Sequence, residues 1–101
     1  MYYIYILYSP SFDKYYVGYS SDPLRRLTEH NTKPFNTYTS KYRPSFLKAT
    51  FKCSEIEREA IWAERFIKKQ KSRRLLQQLC DPSFVPTGFL AQLVRVPDIR
   101  D

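Results

Sequence analysis

The chain has 101 residues, and its seventeen Lys and Arg exceed its ten Asp and Glu to give a formal net charge of +7. This length fits one domain, and an aromatic content of 17% excludes a disordered chain, because disordered segments are poor in aromatic residues. The charge favours nucleic acid as the partner, since Lys and Arg neutralise phosphate groups. No apolar run reaches the roughly 20 residues that span a bilayer. We therefore expect no membrane partner. The start MYYIYILYSP lacks a basic segment and a cleavage site, so it is not expected to be a signal peptide, and the two cysteines, as free thiols, favour the reducing cytoplasm.

The first third of the chain predicts a β-hairpin followed by a helix. Residues 2–8 and 15–19 are rich in aromatic and β-branched side chains, and the turn signal SPSFDK separates them, which predicts two antiparallel strands. In SSDPLRRLTEHN the period changes, and Asp22 followed by proline is a typical N-cap and first helical residue. We expect Leu24 and Leu27 to form the buried stripe of this helix.

The middle of the chain predicts a third strand and two more helices. SFLKATFK favours a strand, and Ser54 with Glu57 has the spacing of a capping box that begins a long helix. RRLLQQLC predicts a shorter final helix. Glu64 lies about 80° around the long helix from the middle of its apolar stripe, at the edge of the buried face. We expect that stripe to contain Ile56, Ala60, Ala63 and Ile67.

This order of elements predicts an α+β fold with mixed α/β layers, in which helices flank a small three-stranded antiparallel sheet, over residues 1–80. Residues 81–101 contain three prolines and no steady period, so we expect a tail that wraps the surface or stays partly mobile. The segment AQLVRV can be encoded by codons that resemble the D-arm of a bacterial transfer RNA gene. One hypothesis is therefore that the tail is a read-through extension.

The counts of reactive residues narrow the possible chemistry. One histidine and two cysteines exclude a His-rich or Cys-rich metal site, and we expect Cys53 and Cys80 to be buried free thiols. Two glycines exclude a phosphate-binding glycine loop, and no GxSxG elbow is present. Tyr, Arg, His and Glu remain, and they suit phosphodiester cleavage. Arginine pairs with phosphate oxygens, a carboxylate can hold Mg²⁺, and a hydroxyl or imidazole can orient or deprotonate water.

Five short motifs occur in series between residues 2 and 70, namely YIYIL, YVG, RRLTEHN, YTSKYRP and ERFIKK. In this order and spacing they resemble the GIY-YIG nuclease superfamily, and within it the branch of small stand-alone bacterial proteins. The resemblance implies an endonuclease that hydrolyses phosphodiester bonds in DNA with one Mg²⁺ or Mn²⁺ ion, weakly bound without substrate. The superfamily includes an incision subunit of bacterial DNA repair. Because family members usually obtain specificity from an appended module, the resemblance also implies either an unidentified protein partner that supplies specificity or a substrate that is recognised by its shape.

The resemblance assigns a role to each catalytic candidate. Tyr5 and Tyr16 match the tyrosines of the first two motifs, and Tyr5 would lie near the attacking water as a candidate general base. Arg26 matches the helix arginine that contacts the scissile phosphate, and His30 lies one turn later, where the family often has a polar or basic residue. Glu64 matches the metal-binding glutamate. The chain departs from the family at the glycine of the first motif, where it has a tyrosine, and it lacks the asparagine that often follows the glutamate.

Further candidates would contact the nucleic-acid backbone. Gly18 lacks a side chain and would leave room for a phosphate beside Tyr16. The basic candidates are Lys41, Arg43, Lys68 and Lys69. The catalytic candidates also have structural interpretations, since cross-strand tyrosines stabilise hairpins and Glu64 can pair with Lys68 one turn later. A non-catalytic nucleic-acid-binding module with the same fold is therefore an alternative, and a protein-interaction domain is a third.

Overall fold

The computed structural model describes residues 1–32 and 45–96, apart from the side chain of His30. The elements in chain order are β1 (Tyr2–Ser9), β2 (Lys14–Ser20), α1 (Pro23–Thr32), β3 (Phe46–Ser54), α2 (Glu57–Gln70), α3 (Arg73–Cys80), a 3-10 turn (Gly88–Leu90) and β4 (Val94–Arg95). The predicted strands and helices are all present, and the α+β class is confirmed. Across the described ranges, no helix is long and apolar enough to cross a membrane.

The sheet is antiparallel, with the strand order β2-β1-β3-β4. The expectation of three strands is therefore wrong, because the tail contributes a fourth. Strand β4 is two residues long and pairs with β3 at Phe51↔Arg95 and Lys52↔Val94. A strand this short has no alternation that a sequence pattern could reveal.

The two faces of the sheet are covered differently. Side chains of successive residues point to opposite faces, and we call the two sides the covered face and the site face. The covered face packs against α2, α3 and the tail, and its buried cluster contains Ile4, Ile6, Val17, Ala49, Phe51, Ala63, Ile67, Leu79, Leu90 and Leu93. The site face has a smaller buried cluster of Tyr5, Leu7 and Leu47, with Tyr16 and Leu27 packed against it.

Helix α1 confirms one prediction and corrects another. The backbone N–H of Arg25 donates to the carboxylate of Asp22 at 3.2 Å, so Asp22 caps the helix as predicted. Leu27 packs against the site face, whereas Leu24 is 52% exposed, so its place in the buried stripe is wrong. The buried position in the first turn is Pro23, which lies four residues before Leu27 on the same side of the helix.

Helix α2 begins differently from the prediction. Ser54 still belongs to β3, and its hydroxyl accepts from the backbone N–H of Ile56 at 3.0 Å and donates to the carboxylate of Glu59. The predicted capping box of Ser54 and Glu57 is therefore wrong, and Ile56 is the N-cap residue with no side-chain cap. Ile56 is also exposed, so the apolar stripe is reduced to its other members. They are Ala60, Ala63 and Ile67.

The described part of the tail packs into the core. Leu90 and Leu93 are each only 4% exposed, and burial of a leucine side chain stabilises a fold by about 1.5–3 kcal/mol. The guanidinium of Arg95 donates to the backbone carbonyl oxygens of Leu79 and Asp81 at 2.9 and 2.8 Å. It also lies 4.7 Å from the ring centroid of Phe51. Residues 88–96 therefore stabilise the same core as the elements before them.

Both cysteines are free thiols, as expected, but they are half-buried rather than buried. Burial raises the pKa of the Cys53 thiol, and the nearby Glu59 acts in the same direction. Neither cysteine lies in a metal-binding cluster within residues 1–32 and 45–96.

Candidate active site

A cavity of about 430 Å³ lies at the edge of the sheet, beside strand β2 and between helices α1 and α2. Four of the five catalytic candidates line it, namely Tyr5, Tyr16, Arg26 and Glu64. The fifth, His30, belongs to α1 one turn after Arg26, and its side chain lies outside the described residues. The rest of the lining consists of Tyr2, Gly18, Tyr19, Ser20, Ser21 and Glu57.

The hairpin brings the two motif tyrosines together. In the β1–β2 register Tyr5 lies opposite Gly18, and Tyr16 lies opposite Leu7, two residues further along. Tyr5 and Tyr16 thus share the site face, with ring centroids 6.4 Å apart. This spacing is within the range of interacting aromatic pairs, so the pair both stabilises the hairpin and lines the cavity.

Gly18 makes room for the ring of Tyr5. A Cβ atom at this position would lie 2.5 Å from the hydroxyl oxygen of Tyr5 and 2.6 Å from its Cζ atom. It would also lie 3.1 Å from Cε1 of Tyr16. The glycine is therefore required by the packing of the tyrosine across from it in the sheet, a reason that the sequence alone did not supply.

Tyr5 and Arg26 form the central contact of the site. Tyr5 is 1% exposed, and burial raises its pKa to about 12, with Tyr16 and the charge of Glu64 acting in the same direction. The Arg26 guanidinium donates a hydrogen bond to the Tyr5 hydroxyl, which offsets only part of this increase in pKa. Tyr5 is therefore a neutral phenol at neutral pH, with Arg26 held against its oxygen.

A second contact fixes the other side of Arg26. Its Nη1 atom donates to Oε1 of Glu29 at 3.0 Å. The hydrogen bond to Tyr5 and the pairing with Glu29 both raise the pKa of the Arg26 guanidinium, which stays charged. The guanidinium of the neighbouring Arg25 differs, because that side chain is 63% exposed and its ion pairs with Asp22 and Glu29 are both 4.0 Å long. The structure thus distinguishes two adjacent arginines that look alike in sequence.

Glu64 lies at the edge of the buried face of α2, where the helical pattern predicted it. Its side chain is 16% exposed, and Oε1 accepts from Nζ of Lys68 at 3.1 Å. The same Nζ lies 5.3 Å from the ring centroid of Tyr16. The predicted pairing of Glu64 with Lys68 is therefore present, and it lies within the site rather than on a solvated face.

The donor set of the site fits a weakly bound Mg²⁺ or Mn²⁺ ion. Among the described residues no three His, Cys, Asp or Glu side chains are grouped to hold a metal. Glu64 and Glu57 both line the cavity, but they are seven residues apart and so about 10 Å apart along the helix axis. Glu64, which is the carboxylate whose charge acts on Tyr5, is the protein ligand available beside the tyrosines. Mg²⁺ accepts such a site because it usually keeps waters and takes substrate phosphate oxygens.

The other residues predicted to contact nucleic acid do not all lie at the cavity. Gly18 lines the cavity, and Lys68 borders it through Glu64. Lys69 is exposed in the last turn of α2 and is not part of the lining. Lys41 and Arg43 lie outside the described residues, as does the whole YTSKYRP motif.

Sequence reasoning missed Glu57 and Tyr19, which also line the cavity. The Tyr19 hydroxyl donates to Oε2 of Glu57 at 3.2 Å. The capping-box prediction explained Glu57 as part of a helix cap, so it did not relate Glu57 to Glu64. The seven-residue separation of the two glutamates places them on one side of α2, two turns apart. That spacing is the signal that could have found Glu57.

The comparison with protein families agrees with this geometry. Residues 1–77 match the model of the GIY-YIG catalytic domain, a range that contains every residue lining the cavity. No curated protein matches the chain in a sequence search. The family match covers well over half of the 101 residues. The chain therefore belongs to the GIY-YIG family, whose catalytic domain indicates nuclease-type activity on nucleic acid.

Proposed function

We propose that this protein is a metal-dependent endonuclease that hydrolyses phosphodiester bonds in DNA. The supporting observation is the convergence of Tyr5, Tyr16, Arg26 and Glu64 on one cavity at the sheet edge. These four side chains supply a fixed cation, a carboxylate and two phenols, which suit phosphate binding, metal binding and water orientation respectively. The net charge of +7 favours a polyanionic substrate.

Arg26 would bind the scissile phosphate. Its guanidinium is oriented by Tyr5 and Glu29 before substrate arrives, so little reorganisation is needed when charge develops on the phosphate oxygens. Its side chain is 42% exposed, which leaves part of the donor fork accessible to a ligand. Arg26 therefore serves as the main stabiliser of the transition state among the described residues.

Glu64 would hold the Mg²⁺ or Mn²⁺ ion, with water and phosphate oxygens as the other ligands. A bound ion supplies charge stabilisation for the oxygen that leaves phosphorus. Before the ion binds, Lys68 neutralises Glu64 through the 3.1 Å contact. Metal and lysine would thus compete for one carboxylate, so we expect the ion to bind weakly in the absence of DNA.

The proton of the attacking water needs an acceptor. Tyr5 has a pKa of about 12, so only about one molecule in 10⁵ carries a tyrosinate at neutral pH. Tyr5 is better suited to orient Arg26 and the water as a neutral hydroxyl. His30 is the other candidate base, and it follows Arg26 by one helical turn in α1. A cleavage rate that levels off above about pH 7 would indicate the histidine, whereas a rate that keeps rising toward pH 12 would indicate Tyr5.

The proposal is tested with a panel of single-stranded, duplex, nicked and branched DNA, with matching RNA, in Mg²⁺, Mn²⁺ or EDTA. We expect metal-dependent cleavage of at least one DNA. We also expect Glu64→Gln to slow cleavage at least about a hundredfold, because the ion contributes several kcal/mol to the transition state. Glu59→Gln removes a carboxylate from the same helix, outside the cavity lining, and should have little effect. Cleavage that persists in EDTA, or that is unchanged by Glu64→Gln, would contradict the proposal.

Other outcomes separate the alternatives. Binding without cleavage of any substrate would favour a non-catalytic nucleic-acid-binding module. The absence of both binding and cleavage would favour a protein-interaction domain.

The proposed location is the cytoplasm, where two half-buried free thiols remain reduced. A separate protein partner would then direct the domain to its substrate, in DNA repair or another pathway.

A further inference from the structure

A second cavity of about 540 Å³ lies beside the catalytic one, along the same edge strand. Residues 15–17 of β2 form one side, and residues from the end of α2 and the start of α3 form the other, namely Ile67, Lys68, Lys71, Ser72, Arg73 and Leu76. Its volume lies within the range of about 300–1,000 Å³ that is typical of small-ligand sites. The proposed hydrolytic chemistry does not require this space.

The two cavities adjoin each other. Tyr16 lines both of them. Lys68 lines the second cavity, while its Nζ contacts Glu64 in the first. A ligand bound at Arg26 and Glu64 could therefore continue past Tyr16 into the second cavity without crossing any other element of the fold.

The lining of the second cavity combines apolar, aromatic and cationic side chains. Val17, Ile67 and Leu76 give it an apolar floor, and Tyr15 and Tyr16 add two half-buried phenol rings. A flat apolar ring system would stack or pack against such walls. Apolar and aromatic walls of this kind suit a base, and the cations at the rim suit the phosphate of the same nucleotide.

The cations of the second cavity are Lys68, Lys71 and Arg73. Arg73 is fixed in place, because it donates to the backbone carbonyl of Asp13 at 2.9 Å and pairs with the carboxylate of the same residue. Its guanidinium also lies 5.1 Å from the ring centroid of Tyr15. Lys71 is exposed at the turn between α2 and α3. Since Lys68 and Arg73 already pair with Glu64 and Asp13, Lys71 is the cation of this cavity that is placed to meet a phosphate at the rim while the base lies inside.

We propose that this second cavity receives the base of an unpaired nucleotide next to the scissile phosphate. A paired base is stacked inside the duplex and cannot enter such a site without being extruded, which costs a few kcal/mol. The substrates are therefore DNA molecules with a single-stranded nucleotide at the cleavage point, such as flaps, loops and branches. This inference rests on the proposed function for the position of the scissile phosphate.

The test measures binding of three DNA probes in EDTA, where the proposed metal-dependent cleavage does not proceed. One probe has an unpaired 2-aminopurine at a branch, the second has an abasic residue in its place, and the third is the continuous duplex. We expect the first to bind about tenfold more tightly than the second, the size of one base–aromatic stack. We also expect the 2-aminopurine emission to fall on binding, since stacking on tyrosine quenches it.

Two charge reversals locate the effect. Lys71→Glu places a carboxylate in the second cavity and should weaken binding of the unpaired probe about tenfold more than binding of the continuous duplex. Arg74→Glu makes the same change in charge one residue beyond Arg73, outside the cavity lining, and should weaken the two probes equally. Thermal unfolding of both variants checks that the fold is retained.

The outcomes distinguish the inference from the proposed function. Equal affinity for the unpaired and abasic probes, or equal effects of the two charge reversals, would overturn the inference even if the protein cleaves DNA with Mg²⁺. A base preference that Lys71→Glu removes would support the inference even if no cleavage of any DNA were observed.

Discussion

Neighbouring residues of strand β1 have different surroundings on the two faces of the sheet. Ile4 and Ile6 lie on the covered face at 0% exposure, and Tyr5 between them lies on the site face at 1%. All three are equally buried, yet the isoleucines meet only the core, whereas Tyr5 contacts Arg26 and a cavity. Burial alone therefore does not identify candidate site residues. They are distinguished by a polar partner at the end of the side chain.

The largest expected effect is on the covered face. Leu90→Ala should lower the free energy of unfolding by about 2–5 kcal/mol, because it opens a cavity beneath the sheet. The cleavage rate per folded molecule should stay the same. Denaturant unfolding measures the loss, with Val85→Ala as a control, since Val85 is 74% exposed in the same tail. Equal effects of the two variants would show that the tail does not stabilise the core.

Tyr5 gives the site face a pH-dependent stability. Its folded pKa of about 12 exceeds the ordinary value of 10.0, so the fold favours the protonated phenol. This contribution is fully present below pH 10 and is lost as the pH rises through 12, by about 3 kcal/mol in total. The free energy of unfolding of the wild-type protein should therefore fall more steeply than that of Tyr5→Phe between pH 10 and 12. Parallel pH curves would contradict the burial argument.

Gly18 connects the two motif strands through Tyr5. Gly18→Ala should lower the free energy of unfolding by about 1–3 kcal/mol, because the added methyl group overlaps the Tyr5 ring. It should also slow cleavage by displacing Arg26 from its tyrosine. In a Tyr5→Ala background the same substitution should cost little. A cost that is equal in both backgrounds would show that Tyr5 is not the reason for the glycine.

The smallest effect concerns helix α1. Leu24→Ala should change the free energy of unfolding by no more than about 0.5 kcal/mol, because Leu24 is 52% exposed. Leu27→Ala should cost more, since Leu27 packs against the site face. Denaturant unfolding of the two variants compares them directly, and a larger loss for Leu24→Ala would reverse the orientation of this helix.

Strong local signals made much of the fold predictable from sequence. Aromatic and β-branched runs defined β1 and β2, and Asp22 defined the start of α1. The exposure of Leu24 was not predictable, because two leucines three apart can face the sheet in more than one rotation of a ten-residue helix. The fourth strand was missed for a related reason, since Val94 and Arg95 pair only because the tail returns to β3.

The candidate residues of the cavity could be named from the sequence, but the contacts between them could not. The motif series identified Tyr5, Arg26 and Glu64 as candidates. The hydrogen bond from Arg26 to Tyr5 depends on how α1 docks against the sheet, which no local pattern specifies. The overlap of a Gly18 side chain with Tyr5 depends on the strand register in the same way. The motifs therefore name the candidate side chains, and tertiary packing determines which of them are held in a fixed orientation.

The central claim is that Arg26, held by Tyr5 and Glu29, stabilises the scissile phosphate. The most direct test compares single-turnover cleavage by Arg26→Ala and Arg25→Ala, using the best DNA of the panel in Mg²⁺. Arg26→Ala should be slower by about 10²–10³-fold, while Arg25→Ala should stay within about threefold of wild type, as expected for a surface arginine. Arg25→Ala should keep nearly the free energy of unfolding of the wild type, whereas Arg26→Ala should lower it by about 1–3 kcal/mol because the buried Tyr5 hydroxyl loses a donor, so the rates are compared per folded molecule. Equal losses for the two arginines, or full activity in Arg26→Ala, would contradict this claim.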